Sequence, residues 1–403
     1  MSVATPSRLS RFAEGIAESE TLKMAQMARD LRAKGHDVIS LSLGEPDFDT
    51  PEHIKAAAVQ ALRDGYTKYT PVQGLPELTK AIVEKFKREN GLDYALNQIV
   101  VSTGAKQTIA NVALAILDEG DECIIFTPYW VSYDVIVKMT GATPVYVKAG
   151  IDQDFKVTAA QVAAAITDRT KMVIFSSPCN PTGSVFSKEE LKAIADVLAP
   201  HDNIFIVSDE IYEHINFMPG GHTSIGSFAG VKDRTITVNG FAKGFSMTGW
   251  RLGYMGAPKW IADACNRIQG QFTSGAASFS QKAASVALNS DLAPTHAMRD
   301  TFLKRRDLVI ELLSEIPGIQ CNHPEGAFYL FPNVSAFFGK TDGTTLINNA
   351  DDLVDYIMLT AFVGLVSGSA FGDDDCVRIS YAASDVLLKE AIRRIAEAVA
   401  RLH

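Results

Sequence analysis

Cysteine is scarce and unpaired in this sequence. The five residues, Cys123, Cys179, Cys265, Cys321 and Cys376, form no CxxC pair, which argues against a disulfide framework or a zinc site. Unpaired thiols suit a reducing compartment, so the cytosol (cytoplasmic location) is expected. Blocks of Lys and Arg are absent as well. The formal charge is −9, from 38 Lys and Arg against 47 Asp and Glu, which makes nucleic acid a poor partner. A small anion stays compatible, because a local pocket can be positive in an acidic chain. No apolar run reaches the roughly 18 residues of a membrane helix, so no membrane partner is expected. The opening MSVATPSRLSRFAEG lacks the apolar segment of a secretory signal. No internal repeat or low-complexity linker appears.

What is present is a globular composition. Hydrophobic residues make up 47% and charged residues 21% of 403, which suits two domains of unequal size. From about Gln98 to Gly256, short apolar runs alternate with helical patterns. QIVVSTGA, DECIIFTP, TPVYVKA, KMVIFSSP, IFIVSDE, TITVNG and LGYMGAP read as strands. KQTIANVALAIL and WVSYDVIVKMTG read as helices, and Ser187 with Glu190 makes a capping box opening KEELKAIADVL. The alternation predicts an α/β fold: a mostly parallel central sheet with helices on both faces. The chain ends differ. Residues 1–45 read as an arm and one helix. Residues 291–403 mix long helices with the strand candidates GAFYLFPNV and VRISYA. The two ends are expected to form a smaller α+β domain around a large domain of residues 46–290.

In open α/β sheets, ligands bind beyond the carboxyl ends of the strands. Those ends carry Gly104, Ala105 and Lys106 after the first strand, Asn180 in SSPCNPTG, Asp209 and Tyr212 in VSDEIY, and Lys243 in NGFAK, with Arg251 eight residues on. Far apart in sequence, these groups can converge on one crevice.

The stretches SLGEPDFDTP, TKYTPVQGLPEL, STGAKQTI, TPYWVSY, SSPCNPTG, VSDEIYEH, NGFAKGFSMTGWRLGY and VRISYA carry a resemblance over nearly the whole chain. The sequence resembles fold-type I pyridoxal-phosphate (PLP) enzymes, and within them class I aspartate aminotransferases of the bacterial 1β branch, whose members act on aspartate and in some cases prephenate. The resemblance implies pyridoxal 5'-phosphate as cofactor and Lys243 as the amine that holds it and moves the substrate proton. Asp209 is then the partner of the pyridine nitrogen. Tyr212 and Asn180 face the ring oxygen, and Trp130 stacks on the ring. The amides of Gly104 and Ala105, at a helix N-terminus, and the Arg251 fork bind the phosphate. Tyr69 reaches the phosphate of a neighbouring subunit, which implies a homodimer with shared active sites. Arg378 with Gly44 takes the substrate α-carboxylate. The distal carboxylate falls to Lys106, helped by Ser19 and Thr21, since GQFTSGAAS offers no clear match to the arginine of the animal-type branch. The run Asp373, Asp374, Asp375 reads as a solvated loop, and no metal is implied.

The reaction implied is aspartate + 2-oxoglutarate ⇌ oxaloacetate + glutamate, in two half-reactions. Amino acids and 2-oxo acids are the small-molecule partners. Glutamate/aspartate-prephenate transamination, alone or as a dual activity, is the first alternative. Another reaction at the same carbanion, such as β-elimination, shares the scaffold. A non-enzymatic PLP-binding regulator carries an N-terminal DNA-binding module, for which the stretch before the first helix leaves no room.

Overall fold

Side-chain alternation on fully buried strands decides the architecture. The computed structural model describes residues 9, 11–16 and 20–403. After β1 (Ile39–Ser40) come β2 (Ile99–Ser102), β3 (Glu122–Thr127), β4 (Thr143–Lys148), β5 (Thr170–Ser176), β6 (Phe205–Asp209), β7 (Thr235–Gly240) and β8 (Gly253–Gly256). The last seven form one sheet in the order β2-β8-β7-β6-β5-β3-β4. All neighbours are parallel except β8, which runs antiparallel to both β2 and β7. Each expected strand of this region is present.

The two-residue period sends one half of each strand to each face. Val100, Cys123, Ile125, Ile174, Val207 and Val238 pack under helices Ala105–Ile116, Ser132–Met139 and Lys259–Phe272. Ile124, Phe126, Val173, Phe175 and Ile206 meet helix Lys188–Leu198 on the other face. Ile99, Val101 and Tyr254 extend that second face beneath helices Glu52–Arg63, Pro76–Lys85 and Ser278–Asn289. With both faces covered, the strands read as unbroken apolar runs. The capping box is formed: Ser187 Oγ accepts from the Glu190 N–H at 3.1 Å, and Glu190 Oε2 accepts from the Ser187 N–H at 2.7 Å.

The two chain ends share another core. Met24 and Leu31 of helix Glu20–Ala33 pack with Phe302, Val309, Ile357, Leu388 and Ile392 from three C-terminal helices. The strands here are short: β9 (Tyr329–Leu330), β10 (Val363–Gly364), β11 (Val366–Ser367) and β12 (Val377–Ser380). β1 pairs with β10, and β12 sits between β11 and β9. GAFYLFPNV contributes only two strand residues. Ala327 has φ +56°, outside strand geometry, and Pro332 has no N–H to donate. The stretch TSG, with Ser274 at φ +57°, separates two helices that sequence reading left unassigned. Among the described residues no helix is long and apolar enough to cross a membrane.

Candidate active site

Because β2, β5, β6 and β7 run the same way, their carboxyl ends share one edge. β8 runs oppositely, so its starting end lies there too and brings Arg251 back to that edge. A cavity of about 290 Å³ opens at this point. Its walls include Lys243, Asp209, Tyr212 and Asn180 from the strand ends, and Gly104, Ala105 and Lys106 from the turn after β2. Gly44 and Arg378 enter from the layer built by the chain ends, and Thr21 and Leu22 from the first long helix.

Asp209 is buried at the end of β6. Its Oδ2 accepts from Tyr133 Oη at 2.7 Å and its Oδ1 from the Ile211 N–H at 3.2 Å. Burial pushes the carboxyl up to about 6, against the pull of those two donors. Lys243 donates to the Gly44 carbonyl. Burial, with the Arg378 and Arg251 charges behind it, brings its amine down to about 8. Tyr212 shares a 2.7 Å hydrogen bond with Tyr329.

Arg378 is 2% exposed. Its Nη1 donates to Asn180 Oδ1 at 2.9 Å and its Nη2 to the Ser42 carbonyl at 2.6 Å, while Nε has no partner. The guanidinium lies against the rings of Tyr329 and Phe371, 4.7 and 4.8 Å from their centres. Lys106 sits 5.0 Å from the Trp130 ring centre, and burial together with Arg251 lowers its amine from the ordinary lysine range. Gly104 has φ +88°, and a Cβ there would stand 2.5 Å from Arg251 Nη2. The missing side chain leaves room for the guanidinium beside the helix start.

The Gly104 N–H is engaged by the Ser102 carbonyl at 2.8 Å. The free donors are the first amides of the helix beginning at Ala105, which have no carbonyl one turn back. Lys106, Lys243, Arg251 and Arg378 all face the cavity. Their hydrogen-bond acceptors, where they have any, are carbonyl and amide oxygens. Among the described residues none of the four has a carboxylate within salt-bridge range. A positive cavity of this kind in an acidic chain is built for anions.

A sequence profile of the class I and II aminotransferases matches residues 36–395. The chain belongs to this family. The match is close in individual relatives of this aminotransferase. It is 46% identical over 395 residues to a petunia enzyme named bifunctional aspartate aminotransferase and glutamate/aspartate-prephenate aminotransferase, covering 97% of this chain and 82% of that one. An aspartate/prephenate aminotransferase of Cereibacter sphaeroides is 46% identical over 382 residues, 94% of this chain and 96% of its own. In structure, the aspartate aminotransferase of Rhizobium meliloti superposes with TM-score 0.95 at 44% identity, covering 98% of this chain and all of that one. The Thermus thermophilus aspartate aminotransferase, solved with maleate, gives TM-score 0.91 at 40% identity over 97% of this chain and all of that one.

One expected site residue stands apart from the cavity in this aminotransferase, and one cannot be placed. Tyr69 is 98% exposed and does not line it. Ser19 lies outside the described residues. Sequence reasoning passed over Tyr133, Tyr329 and the Ser42 carbonyl. Tyr133 had a signal: it lies three residues after Trp130, and the turn closed by the Tyr133 N–H on the Trp130 carbonyl at 2.9 Å brings the two rings into edge contact.

Proposed function

We propose that this aminotransferase transfers the amino group between L-aspartate and 2-oxoglutarate, with pyridoxal 5'-phosphate as its cofactor, in a cytoplasmic homodimer. The observation that carries the reading is the set of four cavity cations without a carboxylate partner. A phosphate and the two carboxylates of a dicarboxylic amino acid supply the anions they lack.

The residues present fit the cofactor. The Arg251 guanidinium, the recess left by Gly104 and the amides of Ala105 and Lys106 suit its phosphate. Asp209, a buried carboxylate with one clear task, suits a protonated ring nitrogen, and the hydroxyl of Tyr212 and amide of Asn180 suit the ring oxygen. Trp130 offers an aromatic face. When bound, the cofactor supplies an aldehyde that amines condense with and a ring that takes up the electrons left at the substrate Cα. Lys243 is the amine placed to hold and move the Cα proton. An amine near 8 exchanges protons close to neutral pH, where an ordinary lysine near 10.4 is locked in its charged form. Asp209, held by Tyr133, keeps a proton on the ring nitrogen. Arg378 presents its fork to the α-carboxylate, with Nε still to be paired and Asn180 holding the other side.

Lys106 reads the distal carboxylate, with Thr21 and Ser19 as helpers. A lysine is a flexible point charge and accepts acids of different length. That favours the second reading, a dual aspartate and prephenate activity like the one the petunia and Cereibacter relatives are named for. Tyr69 supports the dimer: an aromatic 98% exposed has its natural place at a second copy's site. Five free cysteines suit the cytoplasm. The core shared by both chain ends supports a small domain of 1–45 and 291–403 around a large one of 46–290. One assay panel tests the function: aspartate, glutamate, tyrosine and alanine as donors, with oxaloacetate, 2-oxoglutarate and prephenate as acceptors. Aspartate turnover no better than alanine refutes it.

A further inference from the structure

A second charged cluster lies buried behind the cavity. Lys85 is fully buried; it donates to Glu213 and, at 2.7 Å, to Asn90 Oδ1. Asn90 Nδ2 donates to Glu213 Oε2 at 2.7 Å and to Glu210 Oε2 at 3.3 Å. Glu210 also accepts from Ser208 Oγ at 2.9 Å and lies 2.8 Å from His222 Nε2. Glu89 holds His214 at 3.0 Å. Burial raises the Glu213 carboxyl, but Lys85, His214 and His222 outweigh it and hold it at about 2. Glu89, Glu210 and Glu213 thus face Lys85 and two imidazoles, with Arg88 also paired to Glu89.

The sequence spacing links this cluster to the cavity. Along one turn after β6, Asp209 and Tyr212 line the cavity while Glu210 and Glu213 enter the cluster. The turn is closed by the Glu213 N–H on the Glu210 carbonyl at 2.9 Å and tied to β7 by the Glu210 N–H on the Val238 carbonyl at 2.8 Å. Front and back groups alternate on one rigid piece of backbone, so neither pair moves without the other. Lys85 comes from a different element, the end of helix Pro76–Lys85, and grips the back.

We propose that Lys85 is a positioning residue for the reaction: through Glu213 and Asn90 it fixes the Asp209–Glu213 turn and so sets where Asp209 and Tyr212 meet the cofactor ring. The inference rests on the cofactor reading above. Lys85→Met alone strands a buried carboxylate, so the test uses Lys85→Met/Glu213→Gln, which leaves no unpaired charge. Expected are a folded dimer, cofactor affinity and kcat each lowered about tenfold, an unchanged KM for aspartate, and a shifted pH midpoint for the bound cofactor's absorbance. A double variant with lowered thermal stability but wild-type cofactor affinity, kcat and absorbance titration overturns the proposal and leaves the cluster a stabilising element. Should the double variant not fold, Asn90→Ala carries the same comparison, since it removes hydrogen bonds to both glutamates and leaves every charge paired. The wild-type arm separates the two levels: failure of the unmutated chain to bind pyridoxal phosphate refutes the functional reading itself.

Discussion

Tyr133→Phe removes one oxygen from the site and tests the electrostatics of Asp209. The tyrosine is 1% exposed and the aspartate 4%, so water does not replace the lost donor without rearrangement. What remains to Asp209 is the Ile211 N–H at 3.2 Å. A hydrogen bond to a charged acceptor contributes about 1.5–3 kcal/mol, which is about one to two pKa units. The sign follows from the charge. The donor favours the ionised carboxylate, so its loss raises Asp209 further, from about 6 to roughly 7–8. Ionised Asp209 then disappears at a higher pH.

Cofactor binding to the cofactor-free protein reads this out. A protonated ring nitrogen binds against an ionised Asp209, so affinity falls as pH drops through the Asp209 pKa. In the Phe variant that fall is expected one to two units higher in pH. The cofactor's own titrations are common to both proteins and cancel in the comparison. At neutral pH kcat for aspartate drops and recovers partly on the alkaline side, while KM holds because Arg378 and Lys106 are untouched. Superimposable affinity curves would falsify the assignment of Tyr133 as the donor that keeps Asp209 ionised.

Four further outcomes follow. In the cofactor-free protein, Lys243 at about 8 is roughly a quarter neutral at pH 7.5, against about a thousandth for a surface lysine; trace amine labelling mapped by mass spectrometry should mark it first and rise through pH 8, and uniform labelling rejects its lowered pKa. Lys106→Ala should lower kcat/KM for aspartate about 10–150-fold and spare alanine, whereas an equal loss for both donors leaves Lys106 only a phosphate-side charge. Tyr69→Ala and Lys243→Ala chains, each inactive alone, should regain activity when exchanged into a mixed dimer, because one of its two sites then carries neither lesion; an active monomer in sedimentation contradicts the shared site. Maleate, an unreactive dicarboxylate, should raise the thermal midpoint of the loaded enzyme, by about 2.7 kcal/mol of stability at a hundredfold excess over Kd, and an equal rise in Arg378→Ala excludes the cavity as its site.

In the large sheet, β4 is largely exposed at the edge and was legible from the valines of TPVYVK. Most strands of that sheet were legible because buried strands are short apolar runs that stop at polar residues. That same feature exposed Asp209, Asn180 and Lys243 as a set, since each follows such a run. The helix capped by Ser187 and Glu190 was legible for a local reason: both partners sit within one turn. Tyr133 to Asp209 and Tyr212 to Tyr329 are contacts across 76 and 117 residues, and no local pattern encodes them. Lys85 was hidden more thoroughly. In KAIVEKFKREN it looks like one of several solvated charges on an amphipathic helix, yet it is fully buried against Glu213, 128 residues away. The reading of GAFYLFPNV as a strand overshot because alternation of apolar residues does not register Ala327 at φ +56°.

The two charge clusters obey opposite rules, and the contrast explains their roles. Behind the cavity, Lys85 meets Glu213 at once and the acids have cations of their own, so the charges of that cluster are met within the chain. In the cavity, Arg378, Lys106, Arg251 and Lys243 have no such partners among the described residues. Arg378 is buried and Lys243 half-buried, whereas Lys106 and Arg251 reach solvent; holding the first two without counterions is costly, and a protein built only for stability would pair or remove them. At Arg378 the cost of desolvation is already borne by folding, which makes an anion contact there stronger than it is at an exposed site. The one acid at the centre, Asp209, makes no ion pair with Lys243 among the described residues, and Tyr133 and the Ile211 N–H each donate to one of its oxygens, which leaves lone pairs for another donor. It therefore stays available to a cationic ring nitrogen, and the lysine stays available to the substrate.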